Sequence, residues 1–434
     1  MNIRRSVAAL SLCAALGAAA APAAVADDGQ AGRAEGLYGA KDPKFDGVWR
    51  QSLALLAQDA VGVTPAKSAV DWLAGQGCAD GGFAAYRADT SKACDPKKGE
   101  FTDATAAAVQ ALAAVGGRSG TVEKGIGWLK RHQNEDGGWG MNPGGPSDAN
   151  STAAAIGAFA ATGQDPAKVT SAADKGVADK GAAGKGGKTP YDALLGLQLD
   201  CSAKAEERGA FAYTAAKGEP VANELATASA ALAARGKGFV FETVGKDSGA
   251  DPKPLRCEKG KDGADAPKDA AEAALAHLTR VMSDTDMHLK SAMPGAKDQP
   301  DFGGTADAVV ALAAGEHSAA AGKPLQWLQS KDSGAAAWAK GDPGALAKLI
   351  LAAHAAGADP RDFGGADLVK QLNATGPKPE AAAPGAESDG NGKSEEKKDD
   401  DGGGVGGVWW TVGVCAVAGM GIGFLLSGRK RRQL

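Results

Sequence analysis

Residues 124–140 read Lys124-Gly-Ile-Gly-Trp128-Leu129-Lys-Arg-His132-Gln133-Asn-Glu-Asp136-Gly137-Gly138-Trp139-Gly140. Trp128, Leu129 and the aliphatic part of His132 fall on one face of a helix, at i, i+1 and i+4. Asp136-Gly137-Gly138 cannot extend that helix, because glycine takes positive φ cheaply and marks helix ends. The stretch therefore reads as a helix, a tight turn and an aromatic, Trp139, set into the next unit. Gln133 is placed to bond backbone where helix carbonyls lack partners.

The same pattern recurs on both sides. Asp103 to Gly116, Asn150 to Gly163 and Asn223 to Gly236 align as alanine-rich segments of equal length, each opening on a polar residue and closing on glycine. Looser copies are 45–60, 304–315 and 342–357. Six further helical segments lie between them, at about 66–75, 121–132, 189–199, 269–282, 324–330 and 360–372. The turn recurs as Asp80-Gly81-Gly82-Phe83 and Gly209-Ala210-Phe211. Two kinds of helix alternate, so the unit is a helical hairpin repeated six times. Alanine permits close approach and suits a crowded inner ring, and the Trp- and Leu-bearing helices suit an outer one. The expected fold is all-α, an (α/α)6 toroid of helical hairpins. An open solenoid fits the period but leaves the inner ends poorly covered.

Lys124, Gly125, Trp128, Leu129, Gln133, Gly137 and Trp139 also stand at the spacing of the QW repeat. The stretch thus resembles squalene and other terpenoid cyclases, whose repeat recurs loosely in protein prenyltransferase β-subunits. That resemblance implies the same toroid. It does not bring the family's chemistry with it. Asp284-Thr-Asp286-Met-His lacks the last acid of Asp-x-Asp-Asp, and Asp-Asp-x-x-Asp is absent from residues 27–375. Prenyltransferase zinc ligands are not matched, and Gly77-Cys78-Ala79-Asp80 is not the thioester string of complement-type toroids.

The ends of the chain read as an address. Arg4 and Arg5 precede an apolar run from Val7 to about Ala21, and Ala24-Val25-Ala26 offers small residues for cleavage, so 1–26 is expected to be a signal peptide. The exported domain is 27–375, about 350 residues and enough for one large core or two ordinary ones. Residues 376–407 are rich in Pro, Gly, Glu, Lys and Asp and cannot bury enough apolar surface to order themselves; they read as a flexible, disordered linker. Residues 408–427 carry no charge and are long enough to cross a bilayer as one C-terminal transmembrane helix. Residues 428–434 hold Arg429-Lys430-Arg431-Arg432, which places the C-terminus in the cytoplasm. A sortase substrate ends similarly, but Leu372-Asn373-Ala374-Thr375-Gly376 lacks the proline and lies too early. The expected location is the cell membrane, single-pass, with the large domain extracellular.

Export decides the cysteines. Cys78, Cys94, Cys201 and Cys257 fall in the exported part, where an even count reads as disulfides. Three pairings are open; Cys78–Cys94 and Cys201–Cys257 close the shorter loops and are the pairs expected. No Cys-x-x-Cys occurs and the five histidines are scattered, which argues against a zinc site. A formal net charge of −4 shows no basic stripe for nucleic acid.

Function is expected to lie where the inner helices begin. Their amides converge on one face, and the turns before them bring Phe83, Phe101, Trp139 and Phe211 toward it. Asp103, Asn150 and Asn223 are the polar residues there, read first as helix caps. With no catalytic pattern, the chain is expected to be a monomeric, membrane-tethered, non-catalytic toroid that needs no cofactor. It would bind a small molecule or a surface partner. The exported toroids it then resembles are the α-domains of cobalamin carriers, so a cobalamin-like ligand is one candidate, although their closing β-domain is lacking. The alternative is an extracellular glycan hydrolase or lyase using inner-ring carboxylates such as Asp103, Asp148, Asp307 or Glu224, or a divergent cyclase-type enzyme.

Overall fold

A computed structural model describes residues 35–95, 99–171, 187–215, 220–241, 249–258, 263–292 and 298–381. The expected signal peptide, the transmembrane helix, the basic tail and most of the linker lie outside the described residues. Among the described residues, no helix is long and apolar enough to cross a membrane.

The described chain is mostly helical. Six helices form one set: α1 (Gly47–Ala60), α3 (Thr102–Val115), α5 (Ala149–Ala161), α7 (Glu224–Ala234), α9 (Phe302–Ala314) and α12 (Pro343–Ala355). Each packs on the next in that order, and α12 packs back on α1. They are buried almost all round, and their alanines allow that approach. Where α3 and α5 meet, Gly157 lies against the Gln110 side chain with no room for a Cβ. The second set is α2 (Lys67–Gly75), α4 (Ser119–Arg131), α6 (Pro190–Leu195), α8 (Pro267–Ser283), α10 (Ser318–Gln329) and α13 (Leu368–Asn373). These are one-sided: α4 buries Gly125, Ile126, Trp128 and Leu129 and exposes Glu123, Lys124 and Lys130. Full burial of one large apolar side chain stabilises by roughly 1.5–3 kcal/mol. A short helix, α11 (Ala335–Ala339), precedes α12, and a two-residue pair of strands, β1 (Leu289–Lys290) and β2 (Pro300–Asp301), precedes α9.

Three outer segments differ from the expected bounds. α10 begins at Ser318, and Pro324 lies inside it, because burial of Ala320, Ala321, Leu325 and Leu328 outweighs the one lost backbone bond. The segment at 360–372 is broken into a 3-10 turn (Pro360–Asp362) and α13, since Gly364 and Gly365 adopt φ of 61° and 87° between them. α6 stops at Leu195, short of the expected 199.

One hydrogen bond repeats through the chain and sets its register. The N–H of the large residue after each turn donates to a buried hydroxyl or amide of the following helix of the first set. Phe83 donates to Thr105, Trp139 to Thr152, Phe211 to Thr227 and Leu289 to Thr305, at 2.9, 3.0, 2.9 and 2.9 Å. Tyr38 donates likewise to Gln51 Oε1 at 2.9 Å. Two residues before each donor the backbone is left-handed, at Gly36, Gly81, Gly137, Gly209 and Met287. At Gly137 a Cβ would strike the Thr189 carbonyl, so this turn tolerates only glycine.

That register corrects the expected equivalence of Asp103, Asn150 and Asn223. Counted from the threonines, Asn223 matches Phe101 and Asp148, whereas Asp103 and Asn150 match Leu225. The reason is length: α7 has 11 residues against 14 in α3 and 13 in α5. Alignment on the closing glycines Gly116, Gly163 and Gly236 therefore shifts the start of α7 by two positions.

The first and last units are tied together. Gly39 N–H donates to the Thr375 carbonyl at 2.9 Å, the Tyr38 hydroxyl to Gln58 at 3.1 Å, and Gln58 to Asn373 at 2.7 Å. The structure contains the disulfides Cys78–Cys94 and Cys201–Cys257, with Cα separations of 5.7 and 5.6 Å.

Candidate functional site

The starts of α1, α3 and α5 lie side by side, each pinned by one bond to the loop of the next unit. Val48 N–H donates to Ala85, Thr102 to Met141 and Ala149 to Tyr213, at 2.9, 3.0 and 2.9 Å. The residue after each pinned amide is Trp49, Asp103 and Asn150. These three occupy one register position on three adjacent helices. Asp103 and Gln110 are seven apart, as are Asn150 and Gly157, so each pair shares a helix face. That face meets the segment after α7: Gly238 lies against Gln110, and Phe239 N–H donates to Gln110 Oε1 at 2.7 Å. The Phe239 ring stands edge-on to Trp49 with centroids 5.5 Å apart.

The electrostatics of this end are uneven. Asp103 accepts from the neighbouring Ala104 N–H, at 2.8 Å, and from its own backbone N–H. Burial pushes its carboxyl up to about 6, and the nearby Asp148 adds to that. Asp103 as a residue is half-buried. Burial also raises Asp148, which caps α5 by accepting from Ser151 N and Oγ, both at 2.7 Å. The Tyr213 phenol is pushed up to about 12, first by burial and then by the charges of Asp148 and Asp103. Among the described residues, no lysine or arginine pairs with Asp103 or Asp148. Asn150 is 5% exposed, and its Oδ1 is buried without a hydrogen-bond partner among the described residues. A buried acceptor left in that state costs about 1–3 kcal/mol. One turn further along, Ser229 Oγ is likewise buried and unpartnered, and Lys348 pairs with Asp307 at 3.1 Å.

The other sequence candidates sort differently. Phe83, Trp139 and Phe211 are fully buried. The Trp139 indole N–H donates to the Leu129 carbonyl at 2.8 Å, and its ring lies 5.9 Å from Phe159. Large rings two residues after a positive-φ turn are the hinge of each unit, which is why they recur. Gln133 bonds the Gly137 carbonyl of the turn, at 2.8 Å, rather than the helix end. Asn223 caps α7 by accepting from Ala226 N–H at 2.8 Å. Neither Asp103 nor Asn150 is a cap: the residues before α3 and α5 are Phe101 and Asp148, and Phe101 makes no side-chain cap. Phe101 is partly buried beside Asp103.

Sequence reading missed Trp49, Ser229, Lys348 and Phe239. Trp49 was recoverable, since Gly36-Leu37-Tyr38 is a further copy of the glycine turn and would have registered the first unit. It also missed four exposed apolar side chains near helix starts. Among the described residues the exposed large hydrophobics are Phe45 (83%), Val221 (69%), Trp338 and Tyr213. Phe45, Val221 and Trp338 stand just before α1, α7 and α12, and Tyr213 is bonded to the start of α5. Asp284 and Asp286, in contrast, sit at the end of the outer helix α8, where Asp284 caps its C-terminus and pairs with Arg280 at 3.3 Å.

No family model matches the sequence, and no curated protein matches it. A solved structure described as the crystal structure of a protein from Actinoplanes is 16% identical, with a TM-score of 0.41, over 75% of this chain and 95% of that one. A likeness at that level carries no argument about function.

Proposed function

We propose that the chain is an exported, membrane-tethered (α/α)6 toroid, similar in plan to the terpenoid cyclases, that binds a small molecule where its inner helices begin. The packing order from α1 round to α12 and back supports the ring. The two disulfides suit an oxidising compartment. The observation that carries the binding reading is Asn150 Oδ1, buried without a partner among the described residues, at helix starts that also hold Asp103 and Asp148, neither of which pairs with a described lysine or arginine. An apolar rim around a few convergent polar groups is how small-ligand sites are commonly built. Catalysis of the cyclase kind has no support, because the nearest acidic string lies on an outer helix.

One observation favours a second reading. A carboxyl held at about 6 beside another carboxylate is the equipment of a general acid, so a glycan hydrolase using Asp103 is the competing function. Incubation of the full chain with extracellular polysaccharides separates the two. The binding reading expects no new reducing ends. Their release by the wild type, and its loss in Asp103→Asn, would establish the enzyme instead.

A further inference from the structure

We infer that the ligand carries a protonated amine or guanidinium group, taken up between the Trp49 indole, the Asp103 carboxylate and Asn150 Oδ1. The inference rests on the binding reading and names the chemistry of that site. Trp49, Asp103 and Asn150 hold one register position on α1, α3 and α5, and neighbouring helices stand roughly 8–10 Å apart. Together they offer a π face, a full negative charge and an unpartnered acceptor, and a positively charged donor suits all three. Trp49 is only partly buried, and the Phe239 ring lies at 75° to its indole rather than stacked parallel on it.

The surroundings point the same way. Three other acids near these helix starts pair with cations: Asp342 with Lys41 at 2.6 Å, Asp46 with Arg50 at 3.4 Å, and Asp307 with Lys348 at 3.1 Å. Among the described residues, no lysine or arginine pairs with Asp103 or Asp148. The positive ends of α3 and α5 oppose a cation, but each amounts to roughly half an elementary charge, against two formal carboxylates. A bound metal ion is a poorer fit. Among the described residues the one group with three metal-capable side chains is Cys78, Cys94 and Glu100, and its sulfurs are joined in a disulfide.

The test uses the full chain in detergent micelles with benzylammonium, benzoate, benzyl alcohol and calcium, read by ligand-observed NMR and thermal shift. Benzylammonium is expected to bind at least tenfold more tightly than benzoate or benzyl alcohol, and calcium not at all. Asp103→Asn should weaken benzylammonium tenfold or more with the helical circular dichroism unchanged. Trp49→Leu should do the same, and stands in if the first variant fails to fold. Equal binding of benzoate, binding of calcium, or benzylammonium affinity unchanged in both variants overturns the inference. Binding of benzyl alcohol or benzoate that Asn150→Ala abolishes leaves the pocket standing and overturns the cation alone. Failure of every probe also overturns the cation. Native mass spectrometry of the chain, which presupposes no charge, then judges the pocket separately.

Discussion

Gln110 of α3 accepts the backbone N–H of Phe239 at 2.7 Å across 129 residues of sequence. The amide nitrogen of Gln110 donates in turn to the Ala154 carbonyl of α5, at 3.2 Å. One side chain thus joins two neighbouring inner helices to the segment that covers them. Gln110→Leu keeps the volume and leaves the buried Phe239 amide without a partner. The expected loss is on the order of 1–3 kcal/mol, measured by urea unfolding of the full chain against wild type. An unchanged midpoint would remove this contact from the account of the core.

Trp139→Ala should destabilise by about 3–5 kcal/mol, because a fully buried indole and its bond to Leu129 are lost together. The mutant should unfold at lower temperature and yet, where it remains folded, retain affinity for any ligand of the wild type. Weakened binding at unchanged stability would return Trp139 to the site.

Gly137→Ala tests the turn. The backbone there has φ of 90°, and the new Cβ meets the Thr189 carbonyl. The left-handed backbone alone costs roughly 1–2 kcal/mol, and the collision adds to it. Gly163→Ala, at φ of 70° with open space around it, should show the backbone cost only. Equal melting temperatures for the two mutants would contradict the close approach of the turn to α6.

Much of this arrangement is legible in the chain itself. Alanine-rich segments, several of them closed by glycine, locate the six helices of the first set, and Gly-Gly-Phe83 and Gly-Gly-Trp139 locate the turns. What periodicity does not carry is register. Thr105, Thr152 and Thr227 look like ordinary helix threonines until their hydroxyls are seen to accept the turn amides, and only then does Asn223 separate from Asp103. The outer helix at Pro324 is hidden for another reason, since burial overrides a residue that locally argues for a start. The candidate site is legible in Asp103 and Asn150 and illegible in Trp49 and Phe239. Those two come together through a segment, 237–241, whose insertion between α1, α3 and α5 has no local signature.

Asp103 gives a pH signature with a definite sign. Its carboxyl titrates at about 6 in the folded chain and near 3.9 when unfolded. Between those values the folded state holds the extra proton, so stability falls as pH rises from about 4 to about 6, and this contribution is constant above. Asp103→Asn removes the cost. The difference in stability between mutant and wild type should be near zero at pH 4 and grow toward pH 7. Its ceiling is about 3 kcal/mol, reduced by the solvent that Asp103 still meets. A difference that is largest at pH 4 would reverse the sign and refute the desolvated carboxyl.

The proposed binding site at the starts of α1, α3 and α5 is tested most directly by native mass spectrometry of the full chain. Wild type and Asn150→Leu are each incubated with the small molecules of the spent growth medium, exchanged into volatile buffer and weighed intact. The expected result is a discrete added mass on the wild type that is absent from Asn150→Leu, with both proteins melting as folded domains. No added mass on the wild type, or the same mass retained by Asn150→Leu, would contradict a ligand site at these helix starts.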